Sequence, residues 1–182
     1  MTRLRVALAP RDVPARLHAT CSDVSLDVNL DYETGPPASG TDIQRRIEAL
    51  VQLPSSAWLV DIGGLELCFS HEGRLSSLSL YANFAAAAPE DLVPLSGAPP
   101  VWITLPEVDP AEDDNFSVDA EVSVSVDRQR GAVQLRLPGQ DHRAYSLADG
   151  LVAWVDAAGC LVRLVAHGIE WTVSTPVQNS RP

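Results

Sequence analysis

The chain has 182 residues, 46% of them hydrophobic and 20% charged, a balance that supports one globular domain with a buried core. Its 24 acidic residues outweigh 13 basic ones, and the formal charge of −11 at pH 7 makes nucleic-acid phosphates and anionic membrane surfaces poor partners. All 13 basic residues are arginine, which excludes lysine Schiff-base chemistry and a P-loop lysine and looks like the codon bias of a GC-rich bacterial genome.

The opening residues 1–18 hold only a short apolar stretch broken by prolines, unlike a signal peptide. No apolar run approaches the roughly 20 residues that cross a bilayer, so the expectation is a cytoplasmic protein with no membrane contact. Residues 24–32 (VSLDVNLDY) alternate apolar and polar with period two. They predict a half-buried strand with Val24, Leu26, Val28 and Leu30 on one face and Ser25, Asp27, Asn29 and Asp31 on the other. After the breaker-rich ETGPPASG, Thr41 offers an N-cap, Asp42 enters the first turn, and Ile43, Ile47 and Leu50 recur at helical spacing. Residues 41–53 are thus the one main helix, ended by Pro54.

AWLVDI, LELCFS and RLSSLSLY then read as three strands joined by Gly63-Gly64 and HEG, a meander. The alanine-rich ANFAAAAPEDL is expected to form a short helix stopped by Pro89, and VWITL a strand. Residues 106–115 place Glu107, Asp109, Glu112, Asp113 and Asp114 among prolines and an asparagine, which reads as an exposed acidic connecting loop. Its spacing lacks the glycine and closing glutamate of a calcium loop. FSVDAEVSVSVD alternates throughout as one long strand, and RQRG turns it into AVQLRLPG. HRAYSLA, LVAWVDA and CLVRLVAHGIEW complete a second meander, turning at Asp149-Gly150 and AAG.

The two meanders are related. At a constant offset, Gly64, Leu65, Gly73, Leu75 and Leu78 fall on Gly150, Leu151, Gly159, Leu161 and Leu164. The chain 1–182 is therefore read as a single domain with an internal pseudo-repeat of about 57–83 and 143–169. A lone meander leaves one apolar face wet, whereas two copies bury it between them. The expected fold is mainly β, α+β in having one main helix, with two related antiparallel β-meanders forming a sandwich or a curved sheet or barrel.

Signatures of chemistry are missing. His18, His71, His142 and His167 show no metal-ligand spacing, and Cys21, Cys68 and Cys160 no C-x-x-C. No G-x-S-x-G or S-x-x-K occurs, and Cys160 and His167 have opposite parity on one strand. No catalytic residue, metal or cofactor is assigned, which leans away from an enzyme. The second meander does gather Tyr145, Asp149, Trp154, Glu170 and Trp171, which would line an apolar cavity if the sheets close into a barrel.

AYSLADGLVAWVDAAGCLVRLVAHGI resembles a widespread family of small bacterial domains of unknown function, built as a strand, an acidic-Gly turn, a strand, D-x-x-G-x-L-V and a final strand. The matching positions are Asp149, Gly150, Asp156, Gly159, Leu161 and Val162; the first copy has Gly63 and Ser70 in place of the aspartates. The resemblance spans about 25 residues per copy and implies a β-rich fold without a settled activity. In general character the chain is also similar to bacterial immunity proteins. The functional expectation is a non-enzymatic protein-binding module, an acidic immunity or inhibitor-type protein whose acidic loop docks a basic partner. The alternative is a small β-barrel cyclase or carrier for an apolar molecule in natural-product biosynthesis. A homodimer is a further option, through the edge of the alternating segment 116–126.

Overall fold

Period-two alternation dominates the sequence, and the chain folds accordingly. The computed structural model describes residues 3–11, 15–32, 56–70, 73–105 and 115–172, and these are almost all β. In chain order the strands are β1 (Ala7–Pro10), β2 (Ala15–Cys21), β3 (Ser25–Tyr32), β4 (Ser56–Ile62), β5 (Leu65–Ser70), β6 (Leu75–Tyr81), β7 (Ala88–Pro89), β8 (Val101–Thr104), β9 (Asn115–Val118), β10 (Ser123–Asp127), β11 (Ala132–Arg136), β12 (Arg143–Ala148), β13 (Leu151–Val155), β14 (Leu161–His167) and β15 (Glu170–Trp171). They form a seven-stranded sheet ordered β15-β2-β3-β6-β5-β4-β9, a six-stranded sheet ordered β12-β13-β14-β11-β10-β7, and a ribbon of β1 and β8.

The architecture is sandwich-like, with no closed barrel among the described residues, so the barrel option falls away. The sheets end largely in short arms, β7 and β15 of 2 residues and β9 of 4, which carry no ladder around to the opposite edge.

Both sheets follow one plan. β2 and β3 form a hairpin, β4, β5 and β6 a meander, and β6 returns beside β3; β10 and β11, then β12, β13 and β14 with β14 beside β11, do the same. The correspondence extends to register. Leu65–Leu80, Leu67–Leu78 and Phe69–Leu75 pair in the first meander, and Leu151–Ala166, Ala153–Leu164 and Val155–Leu161 in the second, each with a register shift before the last pair. Gly64 and Gly150 turn the two meanders at φ +90° and +89°, a conformation that favours glycine. The halves also exchange ends. β7, after the first five strands, pairs parallel with β10 in the other sheet, and β15, after the second five, pairs parallel with β2. β9, which leads into the second set, pairs parallel with β4.

Several predicted elements change. The helix at 41–53 and His71 lie outside the described residues. The alanine-rich segment forms only the 3-10 turn Phe84–Ala86, capped by the Asn83 side chain accepting from the Ala86 N–H at 3.1 Å. Burial of Phe84 pins the chain there, and β7 begins soon after. The long alternating segment divides into β9 and β10, in different sheets, because residues 119–122 cross between them. Ala120 passes so close to Gly63 that a Cβ there would lie 2.0 Å from its carbonyl oxygen. Residues 160–171 likewise divide into β14 and β15.

Between the sheets lies one apolar core, with Leu26, Val28, Leu67, Phe69 and Leu78 from one side and Leu135, Ala153, Val155 and Leu164 from the other. The outer face of the six-stranded sheet is crossed by residues 90–100. Glu90 Oε2 accepts from Gln134 Nε2 at 2.7 Å, the Leu92 N–H donates to Asp127 at 3.2 Å, and the Pro99 carbonyl accepts the Ser146 N–H at 2.9 Å on the far edge. Val152 and Val165 on that face are buried. Among the described residues no helix is long and apolar enough to cross a membrane.

Candidate functional site

Those of the residues singled out in the sequence that the structure describes do not converge. Glu107, Asp109, Glu112, Asp113 and Asp114 lie outside the described residues. Tyr145 packs inward against the core with the Arg143 guanidinium 5.3 Å from its ring centroid. Trp154, paired with Arg163 on the opposite face of the same sheet, has that guanidinium 3.7 Å from its centroid. Asp149 is exposed in the turn between β12 and β13. Glu170 and Trp171 belong to the other sheet, Trp171 beneath Arg128 at 4.5 Å.

A void of about 10 Å³ lies beside Leu4, Ile62, Val118, Leu137 and Leu161, room for about one water. The segment 116–126 divides at the crossing: β9 is an edge strand of the seven-stranded sheet, and β10, paired with β11, meets β7 on its other side only at Ser125 and Val126.

What the fold does assemble is a polar face. Leu26, Val28, Leu65, Leu67, Leu78 and Leu80 point into the core, so the residues alternating with them point outward. Pairing then aligns Glu170, Thr20, Asp27, Ser79, Glu66, Asp61 and Ser117 in one row across the seven-stranded sheet. At about 4.8 Å per strand the row is roughly 29 Å long. None of its members is buried and none is basic. Asp61 and Glu66 stand directly opposite each other on paired strands. Ser79 Oγ donates to Glu66 Oε2 at 3.2 Å, and Asp61 Oδ1 accepts the Gly64 N–H at 3.1 Å.

Apolar side chains border this face. Tyr81 is 75% exposed at the end of β6, and Val24 62% exposed in the turn before β3, although its place in the alternation predicted an inward side chain. The Val24 carbonyl accepts the Ala82 N–H at 3.1 Å, which holds the two together. Beyond them an open groove of about 730 Å³ runs between residues 84–91 and the turn from β10 to β11. Phe84, Ala87, Pro89 and Val126 give it an apolar lining; Glu90, Asp91, Asp127, Arg128 and Arg130 give it charge.

Titration is most perturbed away from this face. Burial pushes the Cys21 thiol up to about 12, which makes it an inert packed group. Burial lowers the His167 imidazole, opposed by the charge of Asp127. Among the described residues no group of His, Cys, Asp and Glu is arranged to hold a metal ion.

The row was within reach of sequence reasoning in part. Alternation placed Asp27 outward, but register, which brings Asp27, Glu66 and Asp61 into line, has no local signature. In comparisons with known proteins, no family model and no curated sequence matches the chain.

Proposed function

We propose that the protein is a non-enzymatic binding module that docks a basic protein on the outer face of its seven-stranded sheet, as an acidic immunity or inhibitor-type protein would. The observation that carries this reading is the transverse row, four carboxylates without a cation among them and with Asp61 directly opposite Glu66. Like charges so placed weaken a sheet, and a basic partner relieves the repulsion on binding. The net charge of −11 steers such a partner inward. Exposed Tyr81 adds an aromatic anchor of the kind that dominates interface energies. The acidic residues Glu107 to Asp114 precede β9, the strand at one end of the row. No observation favours a barrel that encloses an apolar molecule, since the sheets do not close.

A polyarginine peptide titrated into the protein and followed by amide chemical shifts tests the reading. Perturbations are expected at Thr20, Asp27, Ser79, Glu66 and Asp61, fading as salt rises and absent in a D27N/D61N/E66Q variant. Shifts spread evenly over the surface and unchanged in that variant would overturn it.

A further inference from the structure

The groove beside the row already holds a guanidinium. Asp127, only 8% exposed, accepts the Arg130 N–H at 3.0 Å and the Leu92 N–H at 3.2 Å, and its Oδ2 also takes Arg130 Nη1 at 3.1 Å. Asp91 grips the same Nη1 through its Oδ1. Arg128, the other guanidinium at the groove, is drawn aside to Asp23 at 3.2 Å and over Trp171. Two carboxylates, Asp91 and Asp127, thus hold one cation in a groove that Phe84, Pro89 and Val126 line with apolar groups, while Glu90 on the same groove accepts from Gln134. Paired carboxylates suit the forked donors of arginine, and an apolar floor suits its methylene stem.

The cation comes from the rim. Arg130 is 46% exposed and projects from the turn between β10 and β11, so its pair with the exposed Asp91 is solvated and cheap to exchange, while buried Asp127 keeps the Leu92 and Arg130 backbone N–H groups whichever guanidinium lies against it. We propose that the groove is an arginine-binding slot, and that Arg130 fills it until an arginine of the docking partner takes its place. This rests on the partner being a basic protein, and it places one of that protein's anchors beside the row, next to Tyr81 and Val24.

The full-length chain titrated with acetyl-arginine amide and followed by amide chemical shifts provides the test. Arg130→Ala empties the slot, and the variant is expected to bind the probe about tenfold more tightly than the unaltered chain, with shifts at Leu92, Asp127 and Gln129. Acetyl-citrulline amide, similar in shape but uncharged, is expected to leave those amides unmoved. Adding Asp91→Asn, a change at a well-exposed side chain that leaves the fold intact, is expected to remove most of the gain. Equal responses of the unaltered and R130A chains, or of the two probes, overturn the slot. The D27N/D61N/E66Q variant should keep its groove response, so failure of the docking row and failure of the slot give different results.

Discussion

Ser70 and Asp156 occupy equivalent turns and hold them by the same backbone bonds. The Ser70 N–H donates to Arg74 and the Gly73 N–H to Ser70, both at 2.8 Å; the Asp156 N–H donates to Cys160 at 2.9 Å and the Gly159 N–H to Asp156 at 3.1 Å. The aspartate adds more: its Oδ1 accepts the Ala158 and Cys160 N–H groups at 2.9 Å, and its Oδ2 takes Arg3 Nη1 at 2.9 Å. The Cys160 N–H does most to hold the carboxyl below its ordinary value, against the opposing effect of burial and with help from Ala158 and Arg3. A carboxyl lowered by folding stabilises above its ordinary value of 3.8 and loses that contribution as pH falls through the lowered one. Asp156→Ala is therefore expected to cost about 1–2 kcal/mol at neutral pH, with part restored by Asp156→Ser, whose hydroxyl can accept the Cys160 N–H as Ser70 Oγ accepts the Arg74 N–H at 3.4 Å. Denaturant melts check both, and the gap between Asp156→Ala and the unaltered protein should shrink as pH is taken well below 3.8. At this scale the sequence was legible where backbone dictates residue type. Gly64, Gly150 and the repeated leucines sit at the turns and in the core, whereas the five aromatic and acidic residues of the expected pocket scatter because parity and sheet membership separate them.

Strands were read well where alternation is strong and poorly where it is weak or continues through a crossing. β3, β5 and β13 follow their apolar patterns, and both meanders turn where the sequence turns. β2 went unread although Ala15, Leu17, Ala19 and Cys21 alternate with Arg16, His18 and Thr20, because three of its four inward side chains are small and give the alternation little apolar weight. The division of 115–127 into β9 and β10 was hidden for the opposite reason: alternation runs on through residues 119–122, where Ala120 and Val122 pack against the core while the chain changes sheet. The acidic row belongs to this scale as well, since each carboxylate is ordinary on its own strand and unusual only beside its neighbour. Because Asp61 and Glu66 face each other, Glu66→Gln is expected to raise stability by about 0.2–1 kcal/mol at low salt. The gain should vanish as salt screens the pair, and thermal melts across an ionic-strength series measure it. A residue whose removal stabilises the chain while weakening polyarginine binding is one retained for docking, so the two measurements on this single variant bear on the proposed function together.

The whole molecule is two five-stranded sets that cannot part cleanly. β7 and β15 each finish the sheet begun by the other half, β9 lies beside β4, and one core collects side chains from both sheets. Unfolding either set alone would expose the apolar face of the other and strip its added strands, so neither half has an independent route to unfolding. Leu67, paired with Leu78 in the first meander, and Leu164, paired with Ala153 in the second, both point inward and are each about 1% exposed. Leu67→Ala and Leu164→Ala are each expected to cost about 2–5 kcal/mol, and to do so by lowering the same single calorimetric transition, with calorimetric and van't Hoff enthalpies equal. If Leu67→Ala split the transition, leaving one part at the original temperature, the six-stranded sheet would be stable without its partner, and the exchanged strands would be surface additions to two separate folds. A single lowered transition in both variants would instead make the exchange of ends the link through which each sheet depends on the other. The outer face of the seven-stranded sheet would then rest on a scaffold rigid enough to keep its carboxylates in line for a partner.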